Sequence, residues 1–530
     1  MADLKHWSLG RWLWVGGMVL WLGVMVYWAV EAFTPHYRVS RATTFITGPL
    51  HKDGTVNYIA AINAMNSKGV TPENNAAVAL LEILGSHALF CPPAERRDVL
   101  HSLGIQSTHL PARWIDFDQY LINTGYGTPV NLKKPQTGLD RMKLVYTLGA
   151  ARGKEEDRYN SIHQPWTAVE HPLIARWLKS QGHAIALAQR AALLPRFYAP
   201  VIPWRQTGLV NDSLSLGEIK NLWNVLQIDA LERLGNNDSA GCWQDILTIH
   251  RLAKLLEQGR PDLIRWLVAA SGQYMADNLT VILATRGHTS AERLLRYLAV
   301  LRQQKRVGGF AGVMNWGERL VGLNMIQRAY QIQNKIVRNR DGFRGFIPLQ
   351  FGQAMARYNK WINRFVVALR PKAYAARLHA VTAVTDSILA ARPHGWWGVY
   401  KHFNSLENML AVMTPDFSLI LPLEYKGRAH QILARTALAL AAYRARHNTY
   451  PSALAQLVPH YFPTVPVDPF THHLLYFFTH KNGYLLYSVG PNMRDDRGRH
   501  ARMSYPPNPN APDDIAVRVH WAKNRPAPQR

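Results

Sequence analysis

Cysteine is nearly absent from the chain, since Cys91 and Cys242 are the only two among 530 residues. Two thiols exclude a disulfide framework and leave one incidental bridge or two free cysteines as alternatives. Acidic residues are also few, with 35 Asp and Glu against 61 Lys and Arg, so the formal net charge is +26. An apolar fraction of 48% excludes wholesale disorder. The length predicts two or three domains.

The common catalytic signatures are absent as well. The sequence has no phosphate-binding G-x-x-x-x-G-K-[ST] loop, no G-x-G-x-x-G turn, no G-x-S-x-G elbow and no H-E-x-x-H helix. His87 and Cys91 lie four residues apart in a predicted helical stretch and could face one metal ion. A tetrahedral site needs further ligands, so a buried structural pair is the favoured interpretation. We therefore assign no catalytic residue and no residue that binds an organic cofactor.

One long apolar run lies near the N-terminus, where Trp12 to Val30 are nineteen residues without a charge. At about 1.5 Å per residue this run nearly spans a hydrocarbon core of about 30 Å. Aromatic residues near both of its ends suit the membrane interface. A cleaved signal peptide is the alternative, but its apolar part is usually about 7–15 residues long. We predict a single-pass helix in the inner membrane, with most of the chain outside the cytoplasm.

Basic residues concentrate between Arg286 and Arg377, where eighteen Lys or Arg accompany three acids, an excess of fifteen positive charges. Such a surface attracts polyanions, which include anionic lipid, cell-wall polymer and nucleic acid. Nucleic acid is the least favoured partner because no recognisable nucleic-acid module accompanies the charge. A solvated basic face without any partner is an equally weighted alternative.

The middle of the chain, residues 165–425, repeats apolar residues at helical spacing. Helices are predicted over Leu214–Leu234, from a cap at residues 237–239 to Leu256, over Leu263–Ala284, and from Ser290 onward. Short connections predict helical hairpins with antiparallel neighbours. The first pair resembles one tetratricopeptide-type helix-turn-helix, but no second copy follows at a 34-residue period, so a non-repetitive bundle is the alternative.

The last hundred residues combine a helix that includes Ile432, a proline-bounded loop, two aromatic strands and an acidic loop. This order predicts a compact α+β module. Four motifs of the module resemble the C-terminal domain of the type II secretion major pseudopilin. They are Tyr443 with Asn448, Tyr450 and Pro451; residues 465–470 (VPVDPF); residues 484–490 (YLLYSVG); and residues 513–515 (DDI). No prepilin cleavage site precedes Trp12, and about 400 residues separate the module from the apolar run, so assembly into a pseudopilus is not expected.

The resemblance implies a calcium site, because the pseudopilin family places a calcium ion in the loop after its Tyr-Ser-x-Gly strand. Calcium takes six to eight oxygen ligands, which carboxylates, amides, hydroxyls and backbone carbonyls supply. The residues implied as candidate ligands are Ser488, Asn492, Asp495, Asp496, Asp513 and Asp514. The alternative is that interleaved arginines pair with these acids, namely Arg494, Arg497, Arg499 and Arg502.

The whole layout also resembles a family of membrane proteins of planctomycete-type bacteria. The segments that carry this likeness are residues 72–77 (PENNAA), residues 243–245 (WQD) and the YSVGPN…DD ending. This second resemblance implies an architecture and supplies no activity.

These observations predict a mainly α protein in consecutive segments. They are residues 1–34, a cytoplasmic tail and transmembrane helix; 35–164, mixed helix and loop; 165–425, a helical domain with the basic region 286–377; 430–520, a pseudopilin-like α+β domain; and 521–530, a tail. The expected function is that of a membrane-anchored extracytoplasmic scaffold of the bacterial cell envelope with a protein partner there. The alternatives are a membrane-tethered enzyme with its site in the helical domain, and a basic surface that binds anionic lipid or cell-wall polymer.

Overall fold

The computed structural model describes most of the chain beyond residue 37. The described ranges are 38–107, 109–117, 119–120, 161–204, 208–304, 308–338, 351–390, 416–480, 482–501 and 511–521, together with residues 18 and 21–23. The predicted membrane segment, Trp12 to Val30, therefore lies outside the described residues except at those four positions. Among the residues that are described, no helix is both long enough and apolar enough to cross a membrane.

The protein is mainly helical with small antiparallel sheets, which confirms the predicted fold class at this level. The N-terminal helices are α1 (Tyr58–Asn66), α2 (Ala76–Leu84), α3 (Pro93–Ser102), α4 (Pro172–Ser180) and α5 (Gly182–Ala191). The later helices are α6 (Leu216–Gly235), α7 (Ser239–Leu256), α8 (Leu263–Arg286), α9 (Ala291–Gln303), α10 (Arg319–Arg338), α11 (Phe351–Ala368), α12 (Tyr374–Ala390) and α13 (Phe417–His447). A short helix, Phe310–Gly312, and a π-helical turn, Val313–Glu318, precede α10.

Side-chain caps start the four helices that were predicted in the middle of the chain. Ser215 accepts a hydrogen bond from Glu218 N, and Asp238 accepts one from Gly241 N. Asp262 and Ser290 cap α8 and α9 in the same way. Each cap satisfies one of the backbone N–H groups that a helix start leaves without a partner. The predicted helices are confirmed, and α6, α7 and α8 pack against one another as neighbours.

Helix α13 connects the helical part of the chain to the C-terminal sheet. It packs against α8, α9 and α12 and also against two strands of the sheet. It ends at Asn448, whose φ of 57° places it in the left-handed conformation that commonly terminates helices. The helix runs without a break through the predicted domain boundary at residues 425–430. The sheet and the helical bundle therefore share one continuous element.

The described residues also form two antiparallel sheets. Strands β1 (Val201–Pro203) and β2 (Val210–Asp212) form a small hairpin. In the C-terminal sheet, β4 (Gly483–Ser488) lies between β3 (Tyr476–His480) and β5 (Ile515–Val519). Every residue of β4 is buried, because α13 covers one face and the loop after β4 reaches over the other.

Two segments that carry the planctomycete-type resemblance have structural roles. Asn75 caps α2 and exchanges hydrogen bonds of 2.8 Å with the backbone N and O of Tyr198. Asp245 is buried beside Arg233, with 3.2 Å between its Oδ2 and Nε, and accepts a hydrogen bond from Gln189. Burial, together with the neighbouring Asp229, raises the pKa of Asp245. Asn75 and Asp245 therefore stabilise the packing between segments that are distant in sequence.

Arg319 is a buried member of the predicted basic region. Its guanidinium donates to the side-chain oxygens of Asn315, Asn359 and Asn363 at 2.7–3.0 Å. Burial lowers its pKa to about 10, so it remains protonated at neutral pH. Arg319 therefore belongs to the core and adds nothing to a basic surface.

Candidate cation site in the C-terminal module

The acidic loop joins the central strand of the sheet to its last strand. Ser488 ends β4 and is paired in register with Ile515, the first residue of β5. Because both ends of the loop lie at one edge of the sheet, residues distant in sequence come together there. The loop folds back over the outer face, where Gly498 lies near the side chains of Leu485 and Tyr487.

Three carboxylates meet within this loop. One oxygen each from Asp496, Asp513 and Asp514 lies within 4.8 Å of the others. Two oxygens bound to one calcium ion at about 2.3–2.6 Å are at most about 5 Å apart. The three side chains therefore have a spacing that one such ion can bridge.

Hydrogen bonds around Asn492 hold two of these acids. Its side-chain amide donates to Asp496 Oδ2 at 2.8 Å, and its backbone N donates to Asp513 Oδ2 at 3.1 Å. The backbone N of Asp513 also donates to Asp496 Oδ2 at 3.1 Å. These contacts between protein atoms fix the two ends of the loop to each other without an ion.

Asp514 is the most deeply buried of the three, with a relative exposure of 1%. Its Oδ2 accepts a hydrogen bond of 2.7 Å from Gly498 N, whereas its Oδ1 has no hydrogen-bond partner among the described residues. Burial, together with the nearby Asp496, raises the pKa of Asp514 to about 8. A buried carboxylate oxygen without a donor is costly unless a proton or a cation offsets it.

Two of the predicted ligands have side chains engaged elsewhere. Asp495 Oδ1 accepts hydrogen bonds of 2.8 Å from the Tyr487 hydroxyl and from Arg497 N. Ser488 Oγ accepts a long hydrogen bond of 3.4 Å from Gly490 N. The structure thus brings Asn492, Asp496, Asp513 and Asp514 together, while Asp495 ties the loop to the sheet.

The arginine alternative is only partly covered by the described residues, because Arg502 lies outside them. Arg499 Nε donates to the backbone oxygen of Asp496 at 2.9 Å. Arg518 of β5 donates to the backbone oxygen of Gly498. Both guanidinium groups therefore donate to backbone carbonyls in these two contacts. Burial lowers the pKa of Arg518, and the nearby Asp514 acts against that decrease.

The donor set fits a hard divalent cation such as calcium. Carboxylates of Asp496, Asp513 and Asp514 would hold it, and backbone oxygens or water would complete the six to eight ligands that calcium takes. The buried Asp514 Oδ1 is the observation that distinguishes this loop from an ordinary solvated acidic turn. Bound calcium would supply positive charge that offsets the repulsion among the three acids.

The acidic loop lies between the C-terminal sheet and the helical bundle. Asp513 is close enough to Lys426 of α13 for that cation to lower its pKa, although burial raises the pKa overall. Asp513 also raises the pKa of Tyr374 of α12, after the larger effect of burial. The charge of the loop therefore interacts with side chains of two helices of the bundle, α12 and α13.

Asp468 lies in the predicted proline-bounded loop, within the motif of residues 465–470. Its Oδ1 accepts from Phe470 N, and its Oδ2 accepts from Val489 N, both at 2.8 Å. The buried carboxylate thereby fixes the proline-bounded loop to the end of β4, directly before the acidic loop. Its place between two prolines signals a turn, but nothing local indicates the partner twenty-one residues away.

Two open cavities lie in the N-terminal half of the fold. One of about 550 Å³ is lined by Asn66, Lys68, Arg196 and Gln258 among others. The other, of about 370 Å³, contains His87, Cys91, Arg96 and Trp204 in its lining. The predicted buried pair is wrong, since His87 is exposed in a short 3₁₀ turn, Ser86–Ala88. Cys91 and Cys242 are both free thiols.

The helical domain buries one histidine against one acid. His250 Nε2 of α7 lies 3.7 Å from Asp277 Oδ1 of α8, and both side chains are buried. The sequence did not single out this pair, which arises only when consecutive helices pack. It is the place in the described helices where an acid and a histidine come together beneath the surface.

Comparison with protein-family models, with curated proteins and with solved structures gave no match.

Proposed function

We propose that the chain is a membrane-anchored scaffold or interaction protein of the cell envelope whose C-terminal module is stabilised by calcium. The observation that carries the proposal is the buried Asp514 carboxylate beside Asp496 and Asp513, with an oxygen that lacks a partner within the part of the chain that the structure describes. Because the cluster adjoins α12 and α13, calcium there would hold the module against the helical bundle. The site is thus proposed to be structural.

The proposed location and the proposed ion support each other. The apolar run Trp12–Val30 would place the body of the chain outside the cytoplasm. Calcium sites of extracellular modules commonly have dissociation constants of about 10⁻⁴–10⁻³ M. A loop with three carboxylates, partly fixed by its own hydrogen bonds, suits binding in that range.

Thermal unfolding of the full chain with calcium and with excess EDTA tests the ion. At a calcium concentration about tenfold above the dissociation constant, stabilisation of about 1.4 kcal/mol is expected, and the midpoint should rise. Magnesium should raise it less, because magnesium requires near-octahedral geometry and dehydrates reluctantly. An unchanged midpoint in EDTA would argue for arginine pairing instead.

Variants sharpen this test. Asp514→Asn should abolish the response to calcium without lowering the stability of the calcium-free protein at neutral pH, because the amide is uncharged, as is a carboxyl whose pKa is raised to about 8. Asp98→Asn, which alters an exposed acid on α3, should respond to calcium as the unmodified chain does. A calcium response that survives in Asp514→Asn would remove the site from this loop.

Topology is tested separately with a C-terminal tag. In intact spheroplasts, added protease should remove a tag that lies outside the cytoplasm. Protection of the tag until the membrane is permeabilised would reverse the proposed orientation and leave the calcium result unaffected.

A further inference from the structure

Helix α11 presents a strongly basic face to solvent. Arg357, Lys360 and Arg364 are exposed at successive turns, and Val367 follows them with 52% exposure. We call these four residues the basic face. The opposite side of the helix is buried and includes Met355, Tyr358, Ile362 and Phe365. The packed side fixes the orientation of the helix, so the charged side must point away from the core.

Among the described residues, the two helices nearest to the basic face carry no negative charge. Neither α10 nor α11 contains an Asp or a Glu, and exposed Arg370 and Lys372 continue the charge beyond the end of α11. Arg364 donates to Ser387 Oγ of α12 at 2.8 Å, and the exposed Asp386 beside that serine is the acid nearest in sequence to this contact. The surface thus has the charge that attracts a polyanion.

Residues 42–45, which follow the apolar run in the sequence, are hydrogen-bonded to α11 or packed beside it. Asn359 Nδ2 donates to the backbone oxygens of Ala42 at 3.1 Å and Thr43 at 2.7 Å. Phe45 lies beneath the guanidinium of Arg319, 4.3 Å from ring centroid to Cζ, and against Trp316. These contacts anchor residues 42–45 between α10 and α11.

The length of chain between the apolar run and this anchor limits how far α11 can be from the membrane. Twelve residues lead from Val30 to Ala42. Fully extended, they reach about 40 Å, and any bend brings α11 nearer. The chain length therefore keeps α11 near the bilayer, whereas it does not keep α11 near a polymer of the cell wall.

We infer that the basic face of α11 contacts the anionic headgroups of the bilayer that holds Trp12–Val30. The inference rests on the proposed membrane anchorage. Lys and Arg side chains near an anionic leaflet are attracted within about one Debye length, roughly 10 Å. The exposed Val367 among them suits a surface that meets the headgroup region. The contact would orient the helical domain on the membrane and leave the C-terminal module to reach its partner.

Photocrosslinking of the full chain in liposomes tests the contact. One set of liposomes contains neutral phosphatidylcholine alone, and the other contains about 30% phosphatidylglycerol, each with a trace of a photoactivatable lipid of its own headgroup. Mass spectrometry then maps lipid adducts. Adducts within residues 351–372 should be at least tenfold more frequent with phosphatidylglycerol, and raised salt should reduce them.

Two matched triple variants provide the control. Arg357→Gln, Lys360→Gln and Arg364→Gln together should reduce these adducts at least tenfold. Arg190→Gln, Arg196→Gln and Lys220→Gln remove the same charge from exposed positions elsewhere and should leave the adducts unchanged. Equal labelling by both lipids, or equal loss in both variants, overturns the inference.

Two further outcomes separate this inference from the proposals on which it rests. Extraction of the chain by alkaline carbonate from both kinds of liposome would refute the anchorage, whereas adducts on α11 would still support the lipid contact. Binding of soluble polyphosphate that requires the three residues, with no lipid adducts on α11, would overturn the lipid contact in favour of a wall polymer.

Discussion

Tyr374 and Phe470 meet edge to face, with ring centroids 4.9 Å apart and ring planes at 88°. Tyr374 opens α12 in the bundle, whereas Phe470 lies in the loop before β3. Tyr425 of α13 packs near both, at 4.8 Å and 5.9 Å between centroids. Aromatic pairs of this kind contribute about 0.5–1.5 kcal/mol beyond the burial of their area. The three rings therefore dock the C-terminal module onto the helices.

Removal of the Phe470 ring should weaken this docking. Phe470 is 2% exposed, and truncation of a buried phenylalanine to alanine costs about 3–5 kcal/mol. We expect Phe470→Ala to lower the free energy of unfolding in urea by that amount. Phe90→Ala is the control, because Phe90 is 53% exposed and its truncation should change stability much less. Equal effects of the two variants would contradict the docking role.

Arg319→Met should destabilise the protein although it removes a buried charge. The methionine would leave the side-chain oxygens of Asn315, Asn359 and Asn363 without their guanidinium donor. Asn359 is buried, whereas Asn315 is half-buried and Asn363 is exposed to water. One buried acceptor left without a partner costs about 1–3 kcal/mol, so a loss of about 1–3 kcal/mol is expected in urea unfolding. Arg370→Met, at an exposed position, should be nearly neutral. A stabilised Arg319→Met variant would show that desolvation of the arginine outweighs its hydrogen bonds.

Local signals in the sequence were sufficient for much of the helical domain. Asp238 and Ser290 occur at helix starts because their side chains accept bonds from nearby backbone N–H groups, which depends on sequence neighbours alone. The extent of α13 was less predictable. The sequence pattern indicated a helix around Ile432, whereas the helix begins at Phe417, where packing against the bundle supports its first turns.

The candidate site, too, was predictable from the sequence only in part. The resemblance drew attention to the acidic loop, but not to the different directions of adjacent side chains. Asp495 bonds to Tyr487, whereas Asp496 turns toward Asp513, and only the path of the loop over the sheet decides between them. Strand β5 was also not predicted, because its five residues become a strand through pairing with β4.

Gly490→Ala should disturb the candidate cation site directly. Gly490 has φ of +69°, and an added Cβ would lie 2.3 Å from the backbone oxygen of Asp513. The left-handed conformation alone costs a non-glycine residue about 1–2 kcal/mol. We expect lower stability and weaker calcium binding by calorimetry. Gly312→Ala is the control, since its Cβ would meet nothing within 4 Å. Unchanged calcium affinity in Gly490→Ala would separate Asp513 from ion binding.

Glu318 makes a pH-dependent contribution to the free energy of unfolding that does not involve the acidic loop. Its carboxylate accepts a hydrogen bond of 2.7 Å from Leu263 N at the start of α8. Burial, together with the nearby Asp262, raises its pKa from the ordinary 4.5 to about 7. The folded chain therefore holds this proton to higher pH than the unfolded chain does. By linkage, the contribution of Glu318 to stability falls as pH rises from about 4.5 to 7.

Glu318→Gln removes this titration while it retains a side-chain oxygen for Leu263 N. The stability of the variant relative to the unmodified chain should therefore increase between pH 4.5 and 7 and level off above 7. The change should be at most about 3 kcal/mol. Denaturant unfolding across this pH range measures it. Glu82→Gln, at an exposed position on α2, is the control over the same pH range. If the Glu318→Gln difference varies with pH no more than that of the control, burial of this carboxylate does not control the pH response, because a raised pKa in the folded state must produce a slope.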